Sequence, residues 1–228
     1  MQQATVFSTH CLRLFTLSLW LFLLYGCAPS GLVKPLKKGE FAASAHLGGP
    51  MIHFAGAPIP IPLSGVEGYY GLKNNLSFSA GLGLTSLAFG TGQISLGILS
   101  DLLPETESRK IAVSGFVKAH CMMDRWEGNF RFYPETGFQA YRQFGKHRFY
   151  AGGSAWFETR FPEKKRVSNN FWIPMVHTGW QLDGQKWQPS IEVKWIAPNQ
   201  SSENLVVDYI APRSKGAIGI YLGILRKF

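Results

Sequence analysis

From Gly39 onward, apolar and polar side chains alternate in short runs separated by clusters of turn residues. Residues two apart on an extended chain share a face, so this alternation predicts strands, and no stretch of this region carries a helical period. In the clearest run, Leu76, Phe78, Ala80, Leu82 and Leu84 fall on one face and Ser77, Ser79, Gly81 and Gly83 on the other. The pattern returns where Phe149, Ala151, Gly153, Ala155 and Phe157 oppose Arg148, Tyr150, Gly152, Ser154, Trp156 and Glu158. Ile191, Val193 and Trp195 oppose Glu192 and Lys194, and Ile218, Ile220, Leu222 and Ile224 share the face that ends with Phe228. The predicted strands are 39–48, 63–72, 75–87, 92–99, 109–120, 127–144, 147–158, 171–183, 187–197 and 215–228. Pro134 falls inside 127–144, so that strand is expected to begin only near Gly137.

A soluble barrel and a membrane barrel both alternate. A soluble one keeps apolar residues inside and must cover its outside with charge. Here the faces opposite the apolar residues carry mostly Gly, Ser and Ala with isolated charges, which would make a poor solvated exterior. Turned the other way, small and polar residues fill a narrow lumen and Leu, Ile, Phe and Val meet lipid. The expected fold is therefore an all-β, antiparallel up-and-down transmembrane β-barrel of about ten strands, with eight as the alternative, covering 39–228. With both termini on the periplasmic side, Leu72–Asn75, Gly145–His147 and Asp183–Gln185 are expected as tight inner turns. Segments 49–62, 159–170 and 198–214 become long outer loops, and Ser100–Ser108 is long for an inner turn.

The first residues are of another kind. A polar leader with one cation, Arg13, runs into an apolar stretch of 12 residues, Leu14 to Tyr25, too short to span a bilayer as a helix. Leu24, Tyr25, Gly26 and Cys27 follow one another at its end and resemble a lipobox, the signal peptidase II site of bacterial lipoproteins. The resemblance implies a signal peptide over 1–26, a palmitate-bearing lipid anchor on Cys27, and a lipidated tether over 27–38. Ala28 stands where aspartate would retain the protein in the inner membrane, and no acidic run follows. This implies outer-membrane sorting in a Gram-negative bacterium, with the anchor on the periplasmic side.

Two further features bear on the barrel. Apart from Trp20 in the leader, the tryptophans are Trp126, Trp156, Trp172, Trp180, Trp187 and Trp195, several near predicted strand ends, as in the aromatic girdles of membrane proteins. The terminal alternating strand closing on Phe228 resembles the C-terminal signal by which outer-membrane barrels are recognised during insertion.

Composition narrows the choices. Charged residues make up 16% and aromatics 14%, with 25 glycines, sparse charge for a soluble domain. The net charge of +9 points, in an exported protein, to anionic lipid and lipopolysaccharide rather than nucleic acid. With Cys11 lost and Cys27 acylated, Cys121 has no disulfide partner. No P-loop, HExxH, paired CxxC or GxSxG occurs, and no cofactor or metal is expected.

The interior charges carry what functional information remains. Strand parity directs Glu40, His46, Glu67, Lys118, His120, Arg148, Glu158, Glu192 and Lys194 toward the lumen. A barrel of this size is too narrow for a wide aqueous pore, so these groups must pair. A structural ion-pair network that closes the lumen is the leading reading, which makes the protein a non-enzymatic structural or accessory subunit of an envelope assembly, with other envelope proteins as partners. The alternatives are a narrow channel, a lipid A- or phospholipid-modifying barrel enzyme, and a soluble periplasmic ligand-binding lipoprotein. For an enzyme, Ser44, His46 and Glu40 share one face of the first strand, but i, i+2 spacing leaves Ser44 and His46 roughly 7 Å apart.

Overall fold

The computed structural model describes residues 29–159, 171–203, 205 and 207–228. The leader, Cys27 and most of the basic loop expected at 159–170 lie outside the described residues. The strands are β1 (Phe41–Phe54), β2 (Ala57–Pro60), β3 (Leu63–Lys73), β4 (Leu76–Gly83), β5 (Thr91–Leu103), β6 (Ala112–Asp124), β7 (Phe130–Phe144), β8 (His147–Phe157), β9 (Trp172–Leu182), β10 (Trp187–Ser201) and β11 (Lys215–Lys227). With β2 set aside, each strand pairs antiparallel with the one before and the one after it, β1 with β3 included, and β11 returns to pair with β1 from Ala42–Lys227 to Pro50–Gly219. Ten strands thus close the barrel, and β2 pairs only with the outer end of β1.

The outside of this barrel is apolar. Phe78, Leu82, Ile94, Ile98, Val117, Phe138, Phe149, Val176, Ile191, Val193, Leu222 and Ile224 are all exposed. Their alternation partners point inward and are buried, among them Ser77, Ser79, Ser114, Gln139, Tyr150, Gln181 and Glu192. A continuous apolar belt of this kind is incompatible with water and fits the lipid face of a spanning barrel. Among the described residues no helix is long and apolar enough to cross a membrane, so the strands do the crossing. At the short-turn end Phe41 packs on Phe228, Phe144 on Phe149, and Trp180 donates its indole N–H to His147 Nδ1. At the other end Phe157 packs on Trp172, and Trp126 is exposed.

Several expected boundaries move, each for a local reason. Strand β4 stops at Gly83 instead of continuing to 87, because the chain turns into a short helix, α1 (Leu84–Ala88). Thr85 Oγ1 accepts the Ser64 N–H at 2.8 Å and donates to Pro62 O, while Ser86 Oγ donates to Gln93 Oε1 at 2.7 Å, so the hydroxyls fold this turn over the barrel mouth. The segment 49–62 is not an open loop but a hairpin of β1 and β2, with Met51 opposite Pro60 and Phe54 opposite Ala57. The 198–214 segment folds back onto it, with Ile210 N–H on Met51 O and His53 Nδ1 2.9 Å from Asp208 Oδ2. The long inner turn moves to 104–111, because β5 continues to Leu103 and β6 begins only at Ala112.

Strand β7 begins at Phe130, and Pro134 lies within it, opposite Ala119 on β6. On its other side the ladder with β8 starts only at Glu135–Trp156. The same arrangement recurs at Pro174, paired with Ala155 but one residue beyond the β9–β10 ladder, and at Pro189, paired with Ile224 but one residue short of it. A proline lacks the amide donor of a two-sided strand position, so each is placed where only one neighbour is paired.

Candidate functional site: a lumen filled at three levels

The interior is a stack of three layers, and the lowest was not expected. Residues Ser30–Leu36, predicted as part of a tether, run inside the barrel from its short-turn end to mid-height. Leu36 N–H donates to Ser77 Oγ at 2.8 Å, Ser114 Oγ donates to Val33 O at 2.8 Å, and Gln139 Nε2 donates to Leu32 O at 3.1 Å. Leu32 and Leu36 pack with Ala42, Tyr69, Leu99, Phe116 and Leu225, and Val33 packs with Ala112, Tyr141 and Tyr150. Gly31 has φ +81°, and a Cβ there would lie 2.9 Å from Tyr69 Oη and 3.1 Å from Glu67 Oε2. Only glycine satisfies both the left-handed backbone and that close approach.

The middle layer is charged. Lys118 Nζ lies 3.0 Å from Glu67 Oε1, and Tyr69 donates to Glu67 Oε2 at 2.8 Å. Lys194 Nζ lies 3.4 Å from Glu192 Oε1, and Glu192 also accepts the Tyr150 hydroxyl at 3.0 Å and the Ser30 N–H at 3.1 Å. His120 Nε2 is 2.9 Å from Glu135 Oε2, its Nδ1 is 2.9 Å from Ser95 Oγ, and its ring stacks on Trp156 at 4.3 Å. Taking these charges out of water is costly, and the pairing together with the added hydroxyl and amide donors offsets that cost. A small cavity among Ser30, Lys118, His120, Glu135, Trp156 and Lys194 is no larger than a few waters.

Above it, toward the long loops, Met122, Tyr133, Trp156, Ile173, Met175, Ile196 and Tyr221 form an apolar layer across the lumen. His177 is buried beneath it beside Tyr150, with both ring nitrogens lacking a hydrogen-bond partner among the described residues.

The residues singled out from sequence are therefore distributed unevenly. Glu67, Lys118, His120, Glu192 and Lys194 meet in the middle layer. Glu40 stays at the short-turn mouth, where its carboxylate accepts the Lys37 N–H at 2.9 Å. His46 is half-buried against Gly65, and Ser44 bonds Tyr69 rather than His46, so the Ser44, His46 and Glu40 set does not form a unit. Arg148 is near the start of β8 and Glu158 just past its end, about 33 Å apart along an extended chain, and they cannot pair. Arg148 instead donates to Gln143, to Gln181 at 2.6 Å and to Asp183 at 2.7 Å, closing the short-turn rim, while Glu158 N–H donates to Phe171 O at the other end. Glu135 went unnoticed because it follows Pro134, where no strand was expected, and Ser95 because a serine among Gly and Ser carries no signal. Cys121 is a free thiol, and among the described residues no His, Cys, Asp and Glu cluster could hold a metal.

A closed ladder, an apolar exterior and a polar lumen make this a β-barrel of outer-membrane type. No protein-family model matches the chain, and no curated protein matches its sequence. Among solved structures it resembles the NanC porin, at 8% identity over 82% of this chain and 100% of that one, with a TM-score of 0.45. It also resembles an outer membrane channel from Pseudomonas putida F1, at 11% identity over 89% and 100% of the two chains, with a TM-score of 0.44. The outer membrane protease OmpT from Escherichia coli matches at 12% identity over 83% and 97%, with a TM-score of 0.40. Likeness at this level concerns the type of fold and leaves function to the lumen.

Proposed function

We propose that this barrel is an outer-membrane lipoprotein, anchored through Cys27 on the periplasmic side, whose closed interior serves a structural or accessory role in the envelope rather than solute passage. The observation that supports this reading is the filling of the lumen at all three levels, by the Ser30–Leu36 segment, the Glu67–Lys118 and Glu192–Lys194 layer, and the Trp156–Tyr221 layer. A conducting path would need a continuous polar opening that this packing denies. Its partners would be lipid and lipopolysaccharide around the apolar belt, and other envelope proteins at the loops. The test is purified protein in planar bilayers, with metabolic palmitate labelling alongside. The expected results are no stepwise conductance, and labelling that Cys27→Ser abolishes. Conductance steps whose ion preference shifts with Lys194→Glu would replace the structural reading with a narrow channel.

A second reading has one observation in its favour, the hydrogen-bonded chain Ser95–His120–Glu135. A hydroxyl on one imidazole nitrogen and a carboxylate on the other is the arrangement that activates a serine in acyl transfer. Its position in a filled lumen, with room for little more than water, weighs against substrate access. Labelling by a fluorophosphonate that Ser95→Ala abolishes, with fatty-acid release from phospholipid, would establish it.

A further inference from the structure

The lipid-facing side of the wall holds almost no charge. Inside the regular ladders, clear of the bulged ends at Lys73 and Lys215, alternation directs outward only two residues among all the lysines, arginines and carboxylates, Arg142 on β7 and Arg226 on β11. Both are exposed, and both lie near the short-turn end, Arg142 opposite Phe149 and Arg226 opposite Trp187. Each guanidinium reaches along its strand toward that rim and over aromatic rings. Arg142 lies 4.4 Å from the Phe144 centroid, and Arg226 lies 4.8 Å from that of Phe228 and 5.2 Å from that of Trp187. A long cationic side chain on an apolar surface bends in this way to bring its head to the polar interface.

The rings attract these cations but cannot satisfy a guanidinium's five N–H donors. Neither arginine has an ion pair or a hydrogen bond to protein among the described residues, and Asp183, a carboxylate at the same rim, is taken by Arg148. Each also has a second cation close by. Lys146 is exposed in the turn after Phe144, and Lys186 is exposed in the turn before Trp187, its carbonyl accepting the Lys227 N–H at the end of β11. Phosphate oxygens at headgroup level match the paired N–H groups of a guanidinium. Two cations around one ring would repel the ammonium of a zwitterionic headgroup and suit one of net negative charge. The wall beside Arg226 also has room for an acyl chain. Ala43 and Gly68 continue its row across β1 and β3, and a Cβ on Gly68 would meet nothing closer than 3.9 Å.

We propose that Arg226 with Lys186, and Arg142 with Lys146, form two seats for anionic glycerophospholipid, with the phosphate on the arginine and the acyl chains along the apolar belt. Short turns of such barrels face the periplasm, so the lipid belongs to the periplasmic leaflet, and the seats do not depend on an anchor at Cys27.

Native mass spectrometry of the full chain, released from neutral detergent micelles, counts the bound lipid. With equimolar phosphatidylglycerol and phosphatidylethanolamine added, wild type should retain up to two lipids and prefer phosphatidylglycerol by at least about tenfold. Arg226→Gln and Arg142→Gln should each remove one lipid, and the double variant both, with heat-modifiability on gels unchanged. Arg125→Gln removes a like charge beside Trp126, in the β6–β7 turn at the other end, and should change nothing. Equal retention of the two lipids, or undiminished retention by the double variant, would overturn the seats. An equal loss in Arg125→Gln would replace them with an effect of net charge, and a preference for lipopolysaccharide over phosphatidylglycerol would overturn the assigned lipid. The Lys146→Gln, Lys186→Gln variant is changed only in exposed turns and decides the matter if the arginine variants do not assemble. Its preference for phosphatidylglycerol should fall severalfold, and an unchanged preference would overturn the proposal.

Discussion

Replacing Lys118 with methionine isolates the contribution of the middle layer. Methionine keeps most of the stem volume and removes the ammonium that lies 3.0 Å from Glu67 Oε1. The side chains of Lys118 and Glu67 are only 11% and 10% exposed, so water cannot take over as Glu67's partner. The Tyr69 and Ser79 hydroxyls remain, neutral donors for a full charge. Removing one member of a buried pair typically costs about 3–5 kcal/mol, because the other charge is left uncompensated. At about 1.4 kcal/mol per power of ten, the folded population falls by about two to three and a half powers of ten. The Glu67→Gln, Lys118→Met double variant removes both charges, leaves an amide that Tyr69 can still bond, and should recover about 2 kcal/mol or more of the loss. Urea unfolding in lipid vesicles, followed by tryptophan fluorescence and by heat-modifiability on gels, measures both. With a slope of about 2–3 kcal/mol/M, the single variant should lower the midpoint by about 1–2.5 M. A single variant within about 1 kcal/mol of wild type would refute the claim that this pair is buried and mutually dependent. So would a double variant worse than the single.

Arginine at Leu82 or Val193, exposed apolar positions each six residues in from the short-turn ends of β4 and β10, should each cost about 2–4 kcal/mol and lower the assembled fraction in outer-membrane preparations; normal assembly of both would reverse the inside–outside assignment. Trp156→Ala removes the ring that stacks on His120 and meets Tyr133 at 5.6 Å, and should cost about 3–5 kcal/mol in the same urea assay through the cavity it leaves. At the β6–β7 turn, backbone N–H groups of Glu127, Asn129 and Trp126 on the Asp124 carboxylate hold its carboxyl below the usual range. A depressed folded value stabilises the turn above the ordinary carboxylate range and loses that effect as pH falls through the folded value. Amide exchange at residues 126–129 should therefore accelerate in acid for wild type, whereas in Asp124→Ala it should be fast throughout, beyond the intrinsic pH dependence of exchange.

The strands were legible because lipid outside and a packed lumen inside impose period-two alternation on every one of them, and a shift of one residue would put Glu192 or Arg148 into the bilayer. The same constraint placed Glu67, Lys118, His120, Glu192 and Lys194 on one side of the wall. Alternation fixes a face but not a height. Arg148 and Glu158 have the same parity along the predicted strand 147–158, and so were grouped, although they belong to opposite rims. Proline rules misplaced the start of β7 because sequence does not reveal that the β7–β8 ladder begins one residue after Pro134, and Glu135 was lost with it.

The segment from Ser30 to Leu36 was illegible for a different reason. Its groups pair with Ser77, Ser114, Gln139 and Glu192, from 41 to 162 residues away in sequence, and each of its hydrogen bonds to the barrel joins a backbone group to a side chain. Backbone recognition leaves no pattern in the recognised chain beyond Gly31, which must be glycine for both conformation and contact. The barrel side records the interaction more clearly. Ser77, Ser114 and Gln139 are polar and buried, and each bonds a backbone group of the segment, which is what a wall facing another backbone requires. Ser77, Ser114 and Gln139 thus line the part of the lumen that the segment fills, between the paired charges of the middle layer and the Arg148–Asp183 pair at the short-turn rim. The segment also reaches the charged layer itself, where the Ser30 N–H donates to Glu192 and adds to the Tyr150 and Lys194 contacts that hold that carboxylate.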